Sequence, residues 1–442
     1  MQSPPPAASG AIERIRAFAY KHYGQQLVLS DAQLEQLAWV EESQFYTPEA
    51  AGRTDIHPEV PRALSRLYNL QRLRSGTPAD YQAFVGPQVL AGNRAILSKS
   101  GFEALSHPIK AMNKAHYDVL AAASIISGVS RSPEAIRRAT PYLGRAVPPD
   151  SVQFLTATAP HADDIYPLAH QVISQYPEAK ALFKVVFMPD SHLRHMLYNE
   201  GSLSMYGYLE QGIRSRQLSR GDVDLWYSYW VVNIAGFRGH LSGPGSLYLD
   251  QHTFEAINDL HGLLVSVFEG DTQNLMRLYL KRRAQRLGLN TQPLSENERL
   301  ALAALGAMIR LYTPTDGSAL VAGFKQLDSH NKALWVSHRL KQLQKQTFPS
   351  ETYGPAVFAN VLKQVSLAET IKAVIPLYNS VVTEEQRMRQ ANELPDTVPV
   401  SFQALARQES VDRLLQHPKT AYPILINRET GVATLTPPSP EK

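Results

Sequence analysis

The sequence contains no cysteine among its 442 residues. Disulfide bonds, thiolate zinc sites, iron–sulfur clusters and cysteine nucleophiles are therefore excluded, and any metal ion would be held by His, Asp, Glu or backbone oxygens. The sequence also lacks an uninterrupted apolar run of about 18 residues, so no membrane-spanning helix is predicted. The Gly-x-Ser-x-Gly, His-Glu-x-x-His, EF-hand and Gly-x-Gly-x-x-Gly patterns are absent, which argues against the enzyme and binding classes that depend on them.

A strong charge of either sign is missing too. The 44 Lys and Arg residues against 40 Asp and Glu leave a formal net charge of +4, which gives no indication of nucleic-acid binding. Residues 1–10 carry no basic segment followed by an apolar one, and therefore predict a disordered tail and not a signal peptide. We accordingly expect a soluble protein that is either cytoplasmic or secreted into a host without a classical signal peptide.

Apolar residues recur at helical spacing through most of the sequence and predict an all-α fold. As one example, Leu34 and Leu37 follow Ser30 and Asp31, which together give the start signal of a helix. The segment 422–435 alternates around a turn and favours one short C-terminal β-hairpin. No other regular succession of strands is present, so all-β and doubly wound α/β folds are disfavoured.

The helical pattern divides into two regions. The Gly- and Pro-containing segment 288–293 is the predicted boundary, because Ser295 and Glu298 then form a capping box ahead of the next apolar run. The predicted organisation is a disordered tail over 1–10, a histidine-bearing helical domain over 11–289, a helical bundle domain over 295–395, and a loose segment over 396–442 with the hairpin and a disordered end.

Histidine is concentrated in the first region, since ten of the 14 lie between His57 and His261. Histidine is the commonest metal ligand and general base near neutral pH, so an active site is predicted there. His192 and His195 lie three residues apart, which puts both imidazoles on one helical face within reach of one divalent ion or phosphate. Asp190 is a candidate cap for that helix. The plain alternative is that these histidines are ordinary surface or core residues.

Glycine, arginine and histidine coincide in the segment 233–246. Glycine permits positive φ and a close approach of the backbone, and Arg238, His240 and Ser242 would contact an anion there. The segment lacks the P-loop pattern and follows no predicted strand, so a nucleotide-binding P-loop is excluded. The alternative is a loop that closes a helix and turns the chain.

Two segments resemble elements of the helical HD-type phosphohydrolases and related effector phosphodiesterases. The segment Asp55-Ile-His57-Pro-Glu-Val-Pro-Arg62 is similar to the early family helix that carries a histidine. The segment 119–134 is similar to the later apolar helix, although the family's defining His-Asp pair falls here on Ser127-Gly128. That departure puts the family's usual metal centre in doubt.

The family's second histidine falls on Pro61, so the resemblance carries over only His57, Arg131 and Glu134. Our functional hypothesis is a divergent phosphodiesterase or phosphohydrolase that acts on a phosphorylated small molecule or protein. Histidine and glutamate would act as acid/base groups or as ligands of a divalent metal, and arginine suits two phosphate oxygens. The expected catalytic residues are His57, Glu134, His192 and His195, and the expected substrate-binding residues are Arg131, Arg238, His240 and Ser242.

Two other functions fit the same sequence. A non-enzymatic interaction protein, such as a secreted bacterial effector, would use its helical faces to recognise a protein partner. Binding to a membrane surface would use the basic segment 277–286, together with Arg339, Lys341 and Lys345. Basic residues at the end of a helix also complement the helix dipole, which is the plain alternative for that segment.

Overall fold

Helices make up nearly all of the regular structure, which confirms the all-α prediction. The computed structural model describes residues 6–41, 56–144, 148, 151–189, 191–199, 203–271, 273–344 and 351–436. Asp55, Asp190, Lys345 and the predicted disordered end at 437–442 lie outside the described residues. Within those ranges, no helix combines the length and the apolar character that crossing a bilayer requires.

The helices follow one another with short connections. The first part of the chain contains α1 (Pro6–Tyr23), α2 (Asp31–Glu41), α3 (Glu59–Ser75), α4 (Pro78–Leu90), α5 (Lys99–Ala111), α6 (Lys114–Val129), α7 (Pro133–Leu143), α8 (Ser151–Thr158), α9 (Ala162–Ile165), α10 (Pro167–Gln175) and α11 (Ala179–Val186). The middle contains α12 (Leu193–Leu197), α13 (Leu203–Arg214), α14 (Arg220–Ala235), α15 (Gly239–Ser242), α16 (Gln251–Phe268) and α17 (Leu275–Arg286). The last part contains α18 (Glu296–Met308), α19 (Pro314–Lys325), α20 (Ser329–Gln344), α21 (Gly354–Leu362), α22 (Leu367–Gln390), α23 (Gln408–Gln416), and strands β1 (Ile424–Ile426) and β2 (Ala433–Leu435).

The chain forms two compact units, and it passes between them more than once. Unit 1 contains the described residues of 1–189 and 218–255, whereas unit 2 contains those of 190–217 and 256–442. Unit 1 therefore includes α1 to α11, α14 and α15. Unit 2 includes α12, α13, most of α16, and everything from α17 to β2.

Helix α3 lies at the centre of unit 1, where it packs against α5, α6, α14 and α15. Its apolar residues Val60, Leu64 and Leu67 recur at helical spacing and are buried. The helix ends at Gly76, whose φ of +62° is the left-handed conformation that glycine adopts without a steric penalty. Because α3 is surrounded by other helices, several of its polar side chains are also buried and contact those neighbours.

The core of unit 2 contains Trp335, which is completely buried. Its ring centroid lies 5.3 Å from that of Tyr378, and its indole N–H donates to the carbonyl of Ala301 at 3.3 Å. The guanidinium carbon of Arg339 lies 4.6 Å from the ring centroids of both Trp335 and Tyr378. A buried cation is therefore held against the negative faces of two aromatic rings.

Three predictions from local sequence are confirmed. Helix α2 begins at Asp31, and the C-terminal hairpin is formed by β1 and β2, which pair antiparallel with Leu425 opposite Thr434. The capping box of α18 is present as well. The Ser295 hydroxyl accepts the N–H of Glu298, whose carboxylate accepts the N–H of Ser295. Such signals are contained within a few residues, and tertiary packing did not override them.

The structure differs from the predicted organisation at two places. Helix α1 begins at Pro6, so the described part of the predicted tail is helical and not disordered; proline is well tolerated in the first helical position because its missing N–H has no intrahelical partner there. The predicted boundary at 288–293 lies inside unit 2. Helices α17 and α18 pack against each other across it, and Gly288, with φ of +64°, turns the chain between them.

Candidate anion-binding site

The first turn of α3 begins the site in unit 1. The N–H of Glu59 donates to Nδ1 of His57 at 3.2 Å, which fixes the imidazole at the start of the helix. One turn later, Arg62 lies on the same face as Glu59 and forms an ion pair with its carboxylate. Glu59 also lies 3.9 Å from Nη2 of Arg66. Spacings of three and seven residues therefore place one carboxylate among two guanidinium groups.

Arg62 links this turn to the glycine-rich segment that follows α14. Its Nε donates a hydrogen bond to Nδ1 of His240 at 3.1 Å, and its guanidinium carbon lies 5.9 Å from the ring centroid of Phe237. Because Nδ1 of His240 accepts a hydrogen bond, the neutral ring carries its proton on Nε2. His240 therefore presents an N–H donor on the side away from Arg62.

Two glycines make this contact between helices possible. A Cβ atom on Gly236 would lie 2.4 Å from Cγ and 2.8 Å from the backbone N of Arg66. A Cβ atom on Gly239 would lie 2.5 Å from Cβ of Ser65 and 2.8 Å from the carbonyl oxygen of Pro61. Any side chain at either position would push α3 away from α14 and α15, so these glycines serve close backbone approach.

The buried side of the site is formed by Arg66, whose side chain is only 7% exposed. Its Nη1 donates to the hydroxyl of Ser127 at 2.9 Å and to the carbonyl of Ser124 at 3.3 Å, both at the end of α6. The Ser127 position thus binds an α3 arginine. In the HD-type resemblance, the histidine of the family's His-Asp pair falls on Ser127. In this chain the side chain at that position accepts a hydrogen bond from Arg66.

The charge of the site is predominantly positive. Arg238 is exposed next to His240, with its guanidinium carbon 5.7 Å from the ring centroid of Tyr248. Burial, and then the nearby charges of Arg62 and Arg238, hold the pKa of His240 below its usual value, and Glu59 opposes this shift. His240 is therefore neutral at pH 7. The site contains three guanidinium groups and one carboxylate, of which Arg62 and Arg66 lie at the carboxylate of Glu59 and Arg238 lies near His240.

Of the eight residues predicted to act in the site, the structure brings His240 and Arg238 together with Arg62. His57 is linked to the same turn of α3 through the hydrogen bond that it accepts from the N–H of Glu59. Ser242 lies at the end of α15, where its hydroxyl donates to the carbonyl of Arg238 at 3.3 Å. Arg131 follows the end of α6 and is half-buried.

Glu134 occupies a different environment in unit 1. Its carboxylate accepts hydrogen bonds from Arg137, at 2.8 and 2.6 Å, and from Arg138, at 2.7 Å, all within α7. The hydrogen bonds from Arg137, and then from Arg138, hold the pKa of Glu134 below its usual value. This carboxylate is therefore charged and already bonded on its own helix, which does not suit a proton donor.

His192 and His195 belong to unit 2, and the structure pairs them as their spacing predicts. Their rings stack with centroids 3.9 Å apart and planes inclined by 9°. The N–H of His195 donates to Nδ1 of His192 at 3.4 Å, so His192 caps α12. Burial, and then the charges of His195 and Arg194, hold the pKa of His192 well below its usual value. The convergence of the four predicted catalytic residues on one cleft stays a prediction.

The predicted site residues are not grouped with further ligands into a metal centre in the part of the chain that the structure describes. Across the described ranges, no three or more His, Asp or Glu side chains are grouped so as to hold a metal ion. The site in unit 1 has one carboxylate, and that carboxylate is bound to arginine. Its side chains are arginine and imidazole donors, which are groups that suit an anion.

Sequence reasoning gave no role to Glu59, Arg62 or Arg66, which form the centre of the cluster. The signal that would have found them is the spacing Glu59-x-x-Arg62-x-x-x-Arg66 on an amphipathic helix, because such a row of charges on a core helix needs partners. We refer to His57, Glu59, Arg62, Arg66, Arg238 and His240 as the Arg62 site.

Comparison of the chain with protein-family models, with curated proteins and with solved structures gave no match.

Proposed function

We propose that unit 1 binds a phosphorylated small molecule or a phosphorylated protein at the Arg62 site. The observation that carries this proposal is the hydrogen bond from Arg62 to His240, which joins the start of α3 to the segment that carries the exposed Arg238. The described contacts of Arg62 to Glu59 and His240 use two of its five N–H groups, so the remaining N–H groups are available to phosphate oxygens. Its side chain is 21% exposed, which gives a ligand access to it.

Each group in the site has a distinct part in binding. Arg62 and Arg238 supply the charge and the planar donor geometry that matches two phosphate oxygens. His240 donates from Nε2 without adding a charge. Glu59 neutralises part of the positive charge and keeps Arg62 oriented, since its side chain is only 14% exposed and it bonds Arg62 directly. A preorganised site of this kind loses little entropy when the anion binds.

Hydrolysis of the phosphoester, as predicted from the sequence, stays a prediction. It requires a base or acid close to the reacting oxygen in addition to the anion contacts. In the Arg62 site, both His57 and His240 use Nδ1 as a hydrogen-bond acceptor, so each neutral ring carries its proton on Nε2. The arrangement therefore supports anion binding more directly than proton transfer. Phosphate binding and phosphoester hydrolysis are separate activities, and each has its own assay.

Calorimetric titration of the full-length protein with inorganic phosphate and with a phosphoserine peptide tests the binding proposal. Arg62→Gln and Arg238→Gln should each weaken binding about ten-fold or more, because a hydrogen bond to a charged group contributes roughly 1.5–3 kcal/mol. Arg94→Gln, which changes an exposed arginine elsewhere in unit 1, should bind like the wild type. Wild-type affinity should fall as salt rises, since salt screens the exposed charges.

Affinities of Arg62→Gln and Arg238→Gln equal to that of Arg94→Gln would contradict the proposal. Because Arg238 is exposed, its substitution tests binding without loss of folding, and circular dichroism checks both variants. Release of p-nitrophenol from p-nitrophenyl phosphate, measured in the same samples, addresses hydrolysis. Turnover that is lost in Arg62→Gln and kept in Arg94→Gln would add catalysis to binding, whereas phosphate binding without turnover would limit the site to recognition.

A further inference from the structure

Unit 2 contains a cleft that belongs to none of the predicted sites. It has a volume of about 740 Å³ and lies between α16, α17 and the first turn of α18. Small-molecule sites typically occupy about 300–1,000 Å³, so the cleft has room for a ligand the size of a nucleotide. Several of its lining residues, including Arg282 and Asn290, are exposed, so it opens to solvent.

Two of the three acidic side chains of the cleft, Asp259 and Glu296, are already paired with basic ones. Asp259 accepts a hydrogen bond from Nη2 of Arg286 at 3.0 Å. Glu296 forms an ion pair with Arg277 at 2.8 Å and lies 3.8 Å from Nζ of Lys281. Much of the basic segment 277–286, which the sequence offered as a membrane-binding surface, is therefore directed to partners within unit 2.

Two arginines of the lining, Arg282 and Arg299, stand beside acidic groups whose charge is largely compensated from outside the cleft. The lining itself carries Lys281, Arg282 and Arg299 against Asp259, Asp271 and Glu296. Arg277 and Arg286 do not line the cleft, but they pair with Glu296 and Asp259, so the lining and its ion-pair partners together carry five basic groups against three acidic ones. With those partners counted, the excess of basic groups around this solvent-open hollow favours an anion, and the planar guanidinium groups of two arginines suit a phosphate.

The rest of the lining suits an organic body attached to that anion. Leu263, Leu278 and Leu300 supply apolar contact area. The amides of Asn258, Gln285 and Asn290 can donate and accept hydrogen bonds. A few polar groups on an apolar lining are what orients a small ligand.

Gly262, which lines the cleft, affects its accessible volume because it has no side chain. It lies within α16, it is exposed, and a Cβ atom placed on it would have no heavy atom within 4 Å. Glycine destabilises a helix interior relative to alanine, and no packing contact here requires it. The absence of a side chain keeps the cleft open along α16.

We propose that this cleft binds an organic phosphate of nucleotide size, with Arg282 and Arg299 on the phosphate and the leucine and amide residues on the organic body. The site lies wholly in unit 2 and is independent of the Arg62 site. Inorganic phosphate alone would lack the apolar and amide contacts, and an uncharged nucleoside would lack the arginine contacts. Both are therefore expected to bind at least ten-fold more weakly than the intact compound.

Calorimetry on the full-length protein with nucleoside monophosphates and sugar phosphates, and with adenosine and inorganic phosphate as references, tests this. We expect at least one organic phosphate to bind, with an affinity that falls as salt rises. The double variant Arg282→Gln/Arg299→Gln should weaken that binding ten-fold or more, and Gly262→Trp should abolish it by filling the cleft. Gly207→Trp is the matched control, because Gly207 lies in α13 of the same unit, a Cβ atom there also meets open space, and it does not line the cleft.

Binding that is unchanged in the double arginine variant, or lost equally in Gly262→Trp and Gly207→Trp, would overturn the proposal. So would a panel in which no organic phosphate binds more tightly than inorganic phosphate. Arg62→Gln separates the two sites, since it should leave binding in the unit 2 cleft unchanged; loss of that binding would assign the ligand to unit 1 instead. If Gly262→Trp does not fold, the exposed Arg282 and the half-exposed Arg299 still provide the test.

Discussion

Nε of Arg62 and Nδ1 of His240 are joined by a hydrogen bond of 3.1 Å although 178 residues of sequence separate them. The bond ties the first turn of α3 to α15, and it decides which nitrogen of His240 carries the proton. A guanidinium that donates to an imidazole also requires that imidazole to be neutral, which agrees with the lowered pKa of His240. Position, tautomer and charge of the histidine are thus set by one contact.

Replacing His240 by alanine should release the Nε–H of Arg62. That proton is directed at a ring nitrogen in a part-buried place, so we expect it to exchange slowly with solvent in the wild-type protein. In His240→Ala, NMR of the arginine Nε–H signal should show exchange at least ten-fold faster. His107→Ala, at an exposed position in α5, should leave the signal unchanged, and slow exchange in both variants would mean that the contact does not protect Arg62.

Alanine at Gly236 should destabilise unit 1 by about 1–3 kcal/mol, the usual cost of overpacking a close contact. The φ of Gly236 is −87°, which any residue adopts, so the effect would come from the collision with Arg66 and with the carbonyl oxygen of Arg62. Phosphate affinity should fall as well, because α3 would move away from His240. Chemical denaturation followed by circular dichroism measures the first effect and calorimetry the second.

Gly86→Ala should raise the stability of unit 1, whereas the same substitution at Gly236 should lower it. Gly86 lies within α4, and a Cβ atom there would have no heavy atom within 4 Å. Alanine has the higher helix propensity, so the free energy of unfolding should rise by roughly 0.5–1 kcal/mol. Unchanged stability in Gly236→Ala would contradict the close contact described between α3 and the end of α14, and a loss of stability in Gly86→Ala would contradict the open space described around Gly86.

The stability of unit 2 should decrease in mild acid because of His338. Burial, and then the charges of Arg339 and Lys341, lower its pKa from 6.5 to about 4. A histidine held neutral in the folded state contributes stability that is fully present above pH 6.5, and that contribution is lost as the pH falls toward 4, because the unfolded chain takes up the proton first.

Urea denaturation at a series of pH values between 7 and 4.5 measures this effect. His338→Gln should flatten the dependence of unfolding free energy on pH over that range, since glutamine does not titrate. The buried His192, whose pKa is also lowered, should leave part of the slope in place. His417→Gln, at an exposed position of unit 2, should keep the wild-type slope, and equal slopes in both variants would remove His338 as the cause.

Glu134→Gln distinguishes the role predicted from the sequence from the role that its contacts support. A catalytic glutamate would make the variant inactive toward a phosphoester. Its bonds to Arg137 and Arg138 on α7 predict instead a small change in melting temperature and unchanged phosphate affinity. Calorimetry and p-nitrophenol release on one preparation check both, with Arg137→Gln as the partner variant that should match it in stability.

The fold class was predictable because its signals are local. Helical periodicity, the Ser295–Glu298 capping box and the alternation around the C-terminal turn each depend on residues close in sequence. The predicted boundary at 288–293 does not coincide with a border of the units, because α17 and α18 pack against each other across a segment that resembles a linker. Gly288 looks like a boundary in sequence, yet its left-handed conformation lets the two helices meet.

The candidate site was predictable only in outline. The glycine-rich segment indicated Arg238 and His240, and the HD-type resemblance indicated His57. Neither identified Arg62, because the partner of this half-buried arginine is determined by the packing of elements that are distant in sequence, and no spacing rule connects α3 to α15. The sequence indicated that the glycines of segment 233–246 allow a close approach of the backbone. Only the structure shows that the helix which approaches Gly236 and Gly239 is α3.

The packing of Trp335 against Arg339 and Tyr378 has a consequence for spectroscopy. Of the four tryptophans in the chain, Trp39, Trp226 and Trp230 belong to unit 1 and Trp335 belongs to unit 2. Trp335→Phe would leave intrinsic emission from unit 1 alone, so its difference from the wild-type signal follows unit 2. The emission of Trp335 should shift when the core of unit 2 unfolds, because the ring then loses its contacts with the Arg339 guanidinium and the Tyr378 phenol. The unfolding rates of the two units can therefore be measured separately.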